Sequence, residues 1–149
     1  MISENMNPFE VRLPLPVKTY DIDFAGIVSN IVYVRWLEDL RCEMLTNYLP
    51  IEHQVEREFA PVILQTQIEY RKPIKIFEKP LGRMWISKMK TLKWFVTAEI
   101  LVDGTIAAAA QQTGCFINLS TGRPIPIPEE LSEMYFEYQQ GSQVNSFMG

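Results

Sequence analysis

Hydrophobic residues recur every three or four positions in one long stretch of the chain, from about Asn30 to Leu49. This spacing predicts an amphipathic α-helix with one broad apolar stripe and a length of about 28 Å. The residues of the stripe are Tyr33, Trp36, Leu37, Leu40, Met44, Leu45 and Tyr48. Pro50 follows the stretch and predicts where it stops, because proline cannot continue a helix.

Beyond this helix the apolar residues alternate with polar ones, and a period of two predicts β-strands. Four segments show the alternation: 62–71, 81–90, 93–103 and 106–119. The dipeptide Asp103-Gly104 between the last two is a strong signal for a tight hairpin. Since one face of each strand is apolar, the sheet that they form must be covered by the helix.

The two ends of the chain add a strand and a helix to this pattern. Residues 11–17 alternate as a strand does, but Pro14 and Pro16 remove two backbone donors, which predicts an edge strand or an irregular one. A short final helix is predicted from Pro128 to about Gln139, followed by a frayed tail from about residue 140. The order of elements predicts one two-layer α+β domain over residues 1–149.

Some apolar residues fall on the face of the sheet that the helix does not cover. The alternation assigns Phe95, Leu101 and Phe116 to this outer face. Apolar residues there favour association of the sheet with another copy of the chain.

Composition limits the class of protein only broadly. Hydrophobic residues make up 47% of the chain and charged ones 21%, which suits a globular domain. The sequence has no run of 18 apolar residues and no signal pattern, so we expect a soluble cytoplasmic protein with no membrane partner. Cys42 and Cys115 have no ligand-like spacing and are predicted to be free, buried thiols. His53 is the only histidine, so a histidine-ligated metal or a Ser-His dyad is not expected.

The net charge of −4 is distributed unevenly. Residues 71–93 contain eight basic residues and one acidic residue, so this basic stretch carries +7 and the rest of the chain −11. Such asymmetry indicates a local anionic partner. Trp85, Trp94 and Phe95 lie among the lysines, but alternation along the strands makes packing a simpler account than nucleic-acid stacking.

Residues 20–30, just before the long helix, carry the strongest indication of chemistry. They contain Asp21, Asp23 and Gly26. A helix N-terminus presents unpaired N–H groups and partial positive charge, so a nearby carboxylate would combine a base or nucleophile with donors for an oxyanion. The same residues also suit a plain turn, in which the carboxylates bond their own backbone and Ser29 or Asn30 caps the helix. Residue chemistry alone leaves both interpretations open.

This segment resembles the active-site segment of the 4-hydroxybenzoyl-CoA thioesterase-like hotdog family, in which an Asp precedes Gly-x-Val and a helix with Asn and Tyr. The matching motifs are Asp23-Phe24-Ala25-Gly26-Ile27-Val28, Tyr33-x-x-Trp36-Leu37, Tyr70-Arg71-Lys72-Pro73 and Thr121-Gly122-Arg123-Pro124. The resemblance covers about residues 10–130. It implies the hotdog fold, in which a five- to six-stranded antiparallel sheet wraps a long central helix. It also implies a homodimer with joined sheets or a homotetramer.

The resemblance assigns roles to individual residues. Asp23 matches the catalytic carboxylate, acting as nucleophile or as general base, and the backbone N–H near Asn30 matches the oxyanion donor. Asn30 and Glu38 resemble polar helix residues that position water, although Glu38 is otherwise a surface charge paired with Arg35 or Arg41. Ser29 departs from the family, many members of which have His or Tyr there. The residues expected to bind substrate are Gly26, Ile27, Val28 and Tyr33, with Lys88, Lys90 and Lys93 on the nucleotide phosphates.

The function that the resemblance implies is an acyl-CoA thioesterase, which hydrolyses an acyl or aroyl thioester to the free acid and CoA. No metal and no cofactor is expected, since CoA is part of the substrate. One alternative is release of an acyl or polyketide chain from an acyl carrier protein, whose acidic surface would also suit the basic stretch. Another is a non-catalytic acyl-CoA-binding hotdog module, which would have no need of Asp23.

Overall fold

The computed structural model describes the backbone of residues 7–148 and the side chains of residues 7–141. In chain order the elements are β1 (Val11–Pro14), a 3₁₀ turn (Thr19–Asp21), α1 (Asn30–Tyr48), α2 (Ile51–Glu56), β2 (Phe59–Tyr70), β3 (Leu81–Met89), β4 (Lys93–Val102), β5 (Thr105–Asn118), β6 (Pro124–Ile125) and α3 (Glu129–Met148). Among the described residues, no helix combines the length and apolarity that a membrane crossing requires.

The strands form one antiparallel sheet in the order β1-β3-β4-β5-β2, and β6 pairs with β5. The predicted five- to six-stranded antiparallel sheet is therefore confirmed, and it has six strands. Strand β1 lies at an edge, which is one of the two outcomes that Pro14 and Pro16 predicted, and it ends at Pro14. Asp103 and Gly104 both have positive φ, 50° and 77°, which is the turn geometry that this dipeptide favours.

Helix α1 covers one face of the sheet, as the apolar stripe predicted. Its buried residues include Trp36, Leu37 and Leu40, which pack against Ile100 and Met84 in the sheet. Burial of each large side chain contributes about 1.5–3 kcal/mol. Packing is close between the Trp94 ring and Gly114 on the neighbouring strand. A Cβ atom added at Gly114 would come within 2.1 Å of the ring, so no larger residue fits there without a shift.

Two predictions about the sheet faces are wrong. The alternation over residues 62–71 placed Leu64 on the apolar face of β2. A bulge between Ile63 and Gln65 interrupts this alternation, and Leu64 is 54% exposed. Phe116 is buried on the helix side, where it packs edge-on against Phe59. The other two residues assigned to the outer face, Phe95 and Leu101, do alternate with the buried positions of β4.

Three further features differ from the prediction or extend it. Pro50 ends α1 and also stands at the N-cap of α2, a short helix that the sequence did not predict. Helix α3 continues past Gln139 to Met148, while the predicted frayed tail from about residue 140 involves side chains that lie largely outside the described residues. Cys42 is free but exposed, because it lies off the apolar stripe of α1, whereas Cys115 is free and buried as predicted.

Candidate active site

The residues before α1 form a tight hairpin that presents Asp23. Ile22 and Val28 pair as an isolated bridge, and the Asp23 backbone N–H donates to the Ile27 carbonyl at 2.9 Å. Gly26 closes the turn by donating to the Asp23 carbonyl at 3.0 Å, with a φ of 80° that favours glycine. We refer to residues 22–28 as the Asp23 hairpin.

The two oxygens of the Asp23 carboxylate have different surroundings: one is bound by the turn and the other faces the surface. Oδ1 accepts the backbone N–H of Ala25 at 2.9 Å and of Ile27 at 3.4 Å. Among the residues whose side chains are described, Oδ2 has no hydrogen-bond partner, and the side chain is exposed. The turn interpretation is thus correct for Oδ1, and Oδ2 remains available to a substrate or a water molecule.

The Asp23 hairpin is tied to the connection between β2 and β3. The Val28 N–H donates to the Ile74 carbonyl at 2.8 Å, and Ile27 forms a bridge with Lys75. Val28 and Ile74 are both buried, in a cluster with Val102. The hairpin therefore lies at the end of the sheet where β4 turns into β5, which we call the Gly104 end.

Helix α1 begins directly after the Asp23 hairpin. Ser29 stands at the N-cap, but its hydroxyl makes no capping hydrogen bond. Its carbonyl accepts the Val32 N–H at 3.0 Å. The N–H groups of Asn30 and Ile31 thus receive no acceptor from the cap side chain, and the helix dipole adds partial positive charge beside them. This end of the helix can accept an oxyanion.

Tyr33 forms part of the wall behind this helix end. It is buried, and its ring packs edge-on against Trp36 at 5.2 Å and Tyr70 at 5.0 Å. The Tyr70 hydroxyl donates to the Asn30 carbonyl at 3.3 Å. Burial, with smaller contributions from Tyr70 and Glu78, raises the pKa of Tyr33 to about 12. Tyr33 is therefore a neutral packing residue and no acid or base near neutral pH.

Glu38 lies farther along the helix and has its own partner. It is eight residues after Asn30, about 12 Å along the axis at 1.5 Å per residue. It forms an ion pair with Arg41, which was one of its two expected partners. Arg41 also donates to the Gln112 side chain at 3.1 Å, and Gln112 donates to the Thr66 hydroxyl at 3.0 Å. The structure does not bring Glu38 to the Asp23 hairpin.

Lys88, Lys90 and Lys93 lie at the opposite end of the sheet, around the turn between β3 and β4, which we call the Lys90 end. The ammonium groups of Lys88 and Lys90 lie 5.9 and 5.7 Å from the centre of the Phe95 ring. Lys93 is nine residues along β4 from Val102, a separation of about 30 Å at 3.3 Å per residue. Within one chain, these lysines are therefore remote from Asp23.

The basic stretch is consequently not one surface. Arg71 and Lys72 each donate a backbone N–H to the Ala107 carbonyl, at 2.9 and 3.0 Å, so they lie at the Gly104 end near Asp23. Arg83, the third residue of β3, forms an ion pair with Glu99 in the paired strand β4. Of the basic stretch, only Lys88, Lys90 and Lys93 lie at the Lys90 end. A run of like charges in sequence gave no information about this division.

Asp21 and Arg35 form an ion pair beside the Asp23 hairpin, and the sequence did not predict it. The Asp21 side chain is 1% exposed, and Arg35 Nη1 lies 3.0 Å from Asp21 Oδ1. The sequence suggested only a turn-forming role for Asp21 and Glu38 as a partner for Arg35. Arg35 lies about one and a half turns into the helix, from where a long side chain can reach back to the acidic turn before it. This position is the signal that could have indicated the pair.

Comparison with known proteins identifies the family of the chain. The chain belongs to the thioesterase-like superfamily, whose family model matches residues 17–134. A protein of Aquifex aeolicus (strain VF5) named "Putative esterase" is 28% identical over 123 residues, covering 79% of this chain and 91% of that one.

Solved structures show the same fold. A 1,4-dihydroxy-2-naphthoyl-CoA thioesterase from Synechocystis superposes with a TM-score of 0.76 at 17% identity, covering 86% of this chain and 96% of that one. A thioesterase from Thermus thermophilus, solved in complex with coenzyme A and Zn, gives a TM-score of 0.74 at 20% identity, covering 87% and 93%. The fold is the hotdog fold, as the resemblance implied.

Proposed function

We propose that this protein is an acyl-CoA thioesterase that hydrolyses an acyl or aroyl thioester to the free acid and CoA, with Asp23 as its catalytic carboxylate. The observation that carries the proposal is the placement of Asp23. One carboxylate oxygen is held by the turn, the other is free, and the first N–H groups of α1 follow within a few residues. The proposal involves no metal and no cofactor apart from the CoA of the substrate.

The chemistry follows from these two groups. The thioester carbonyl oxygen is placed at the N-terminus of α1, where the N–H groups near Asn30 stabilise the negative charge that develops on it. Asp23 Oδ2 then either attacks the carbonyl carbon, giving an acyl-aspartyl anhydride that water hydrolyses, or removes a proton from an attacking water. Both routes release the CoA thiolate, which is protonated on leaving. Gly26, Ile27 and Val28 form the wall beside the reacting carbonyl in this proposal, with Tyr33 behind it.

The role proposed for Lys88, Lys90 and Lys93 requires a second copy of the chain. Strand β2 is an edge strand of 12 residues, long enough to pair with its counterpart in a homodimer. A two-fold axis through that pairing reverses the partner's sheet and places its Lys90 end beside the Gly104 end of the first chain. The partner's lysines are separated from the line where the two β2 strands meet by the partner's own strands β2, β5 and β4. At a spacing of about 4.8 Å per strand, this is a distance of roughly 15 Å from the joint between the two sheets. Such a distance suits the nucleotide phosphates of CoA, because the pantetheine arm separates them from the thioester.

A second candidate substrate is an acyl chain on a carrier protein. The observation that favours it is the surface beside the Asp23 hairpin, where Lys72, Lys75 and Lys79 are exposed and Phe77 is 92% exposed. An acidic carrier with an apolar contact residue would complement that surface.

One experiment distinguishes these functions. Rates are measured with aryl-, short-chain and long-chain acyl-CoAs by release of free thiol, and the same acyl group is then presented on a carrier protein. A higher kcat/KM for the CoA form supports the first proposal, and a higher value for the carrier form supports the second. Binding of acyl-CoA with no thiol release from any substrate would instead indicate a non-catalytic module.

A further inference from the structure

Asp21 is a buried carboxylate that the proposed reaction does not use. Its Oδ2 accepts the backbone N–H of Lys18 at 2.8 Å and Nη2 of Arg35 at 3.1 Å. Arg35 Nη1 lies 3.0 Å from Oδ1 but outside hydrogen-bond geometry, so that contact is electrostatic. Burial alone would raise the pKa of Asp21, but Arg35 and the Lys18 N–H outweigh it and lower the pKa below its ordinary value. The carboxylate is therefore ionised and needs Arg35 as its counter-ion.

The backbone of Asp21 joins the two ends of the Asp23 hairpin. Its carbonyl accepts the Ser29 N–H at 2.8 Å, and its own N–H donates to the Lys18 carbonyl at 2.9 Å. Asp21 thus precedes the hairpin and holds the residue that follows it. Arg35 belongs to α1, so the ion pair connects the hairpin to the helix whose N-terminus faces the reaction.

We propose that the Asp21–Arg35 pair is a positioning device, which fixes the distance between the Asp23 carboxylate and the first N–H groups of α1. The inference rests on the proposed function. Asp21 is too deeply buried to touch a substrate, and Arg35 directs its guanidinium to Asp21, so we assign both residues a positioning role that acts through the hairpin. Because reacting groups must be aligned closely, a misplacement of about 1 Å can reduce turnover by up to ~10²-fold. Substrate affinity, set by other contacts, should change little.

The exposure of Arg35 allows a direct test by chemical rescue. Its side chain is 46% exposed, so an added guanidinium ion can enter the space that Arg35→Ala leaves and pair with Asp21. Arg12→Ala is a matched control, because Arg12 is 54% exposed and forms an ion pair with the fully buried Glu10 at the β1 edge of the sheet, opposite the β2 edge. Both variants are compared with the wild type for kcat, KM and hydrogen exchange of the backbone amides of residues 22–29, with and without non-denaturing guanidinium.

The expected result for Arg35→Ala is a fall in kcat of roughly 10–100-fold, with KM within about threefold, and faster exchange of the hairpin amides. Guanidinium should restore part of kcat and slow the exchange, and Arg12→Ala should show neither effect. A kcat close to wild type, a loss confined to KM, or a loss that guanidinium does not reverse would overturn the inference. If Arg35→Ala does not fold, Arg35→Lys takes its place, with a smaller loss expected because lysine keeps the charge and loses the second donor.

The two proposals fail in different ways. A wild-type protein that hydrolyses no thioester contradicts the proposed function, while the hydrogen exchange of residues 22–29 still decides whether Arg35 holds the hairpin. An active wild type with an Arg35→Ala variant of unchanged kcat contradicts only the positioning role.

Discussion

Replacing Lys88, Lys90 and Lys93 together by alanine removes the three positive charges of the Lys90 end without touching the apolar core. All three side chains are exposed or half-buried at the surface, so the fold should be unaffected. Each screened contact with a phosphate contributes about 0.5–1 kcal/mol, so the three together correspond to a rise in KM for acyl-CoA of roughly 10–100-fold. An acyl-pantetheine lacks the nucleotide phosphates, and its KM should not change. Equal effects on both substrates would refute a phosphate-binding role.

The separation of the two ends of the sheet makes a sharper version of this test possible. The triple-alanine chain has an intact Asp23, and an Asp23→Asn chain has intact lysines. When the two are unfolded and refolded together, half of the dimers are mixed. If the lysines serve the partner's site, each mixed dimer contains one complete site. The mixture should then recover about a quarter of the wild-type rate at low acyl-CoA concentration.

The opposite arrangement gives a different result. If the lysines served the Asp23 of their own chain, no site in the mixed dimer would be complete, and mixing would restore nothing. The assay is the initial rate of thiol release below KM, with each variant refolded alone as the reference. Absence of any gain on mixing would therefore refute the arrangement of a shared site across the joint between sheets.

Two further substitutions test the ion pair beside the site and the packing of the core. Asp21→Asn removes a carboxylate whose pKa is lowered by Arg35 in the folded protein, so the stability it contributes is present above the ordinary value of 3.8 and is lost as the pH falls through the folded-state pKa. The variant should lose about 1 kcal/mol at pH 7. Its difference in melting temperature from the wild type should stay constant as the pH falls to the ordinary pKa of 3.8 and narrow below that value; a difference that does not narrow there would contradict the ionised pair. Gly114→Ala places a Cβ within 2.1 Å of the Trp94 ring and should cost about 1–3 kcal/mol in urea unfolding, whereas a neutral effect would mean that the ring does not lie on Gly114.

The parts of the fold that depend on local pattern were predictable from sequence. The α1 helix runs from Asn30 to Tyr48, one residue from its predicted end, because the apolar stripe and Pro50 are local signals. The position of β1 at an edge followed from its prolines. The bulge after Ile63 was not predictable, because one extra residue changes the face of every later side chain and leaves no mark in composition.

The candidate site was likewise predictable only where it depends on local sequence. Asp23 was singled out as a candidate by its motif and by its place before the helix. The division of the basic stretch depends on which end of the sheet each residue reaches, and the burial of Asp21 depends on Arg35, 14 residues away on another element. Because Asp21 is buried and ion-paired, it is also unsuitable as the neutral control for a substitution at Asp23.

The role of Asp23 is tested most directly by the turnover of Asp23→Asn on an acyl-CoA that the wild type hydrolyses. Asparagine keeps the Oδ1 that accepts the Ala25 and Ile27 N–H groups, so the hairpin and the melting temperature should be preserved. Asp103→Asn is the control, since Asp103 is an exposed carboxylate at the same end of the sheet, at a positive φ that asparagine tolerates. We expect kcat of Asp23→Asn to fall by roughly 10²–10⁴-fold with KM little changed, and the control to remain fully active. An Asp23→Asn variant that keeps more than about a tenth of the wild-type kcat, far above the range for loss of a general base, would contradict the proposed mechanism.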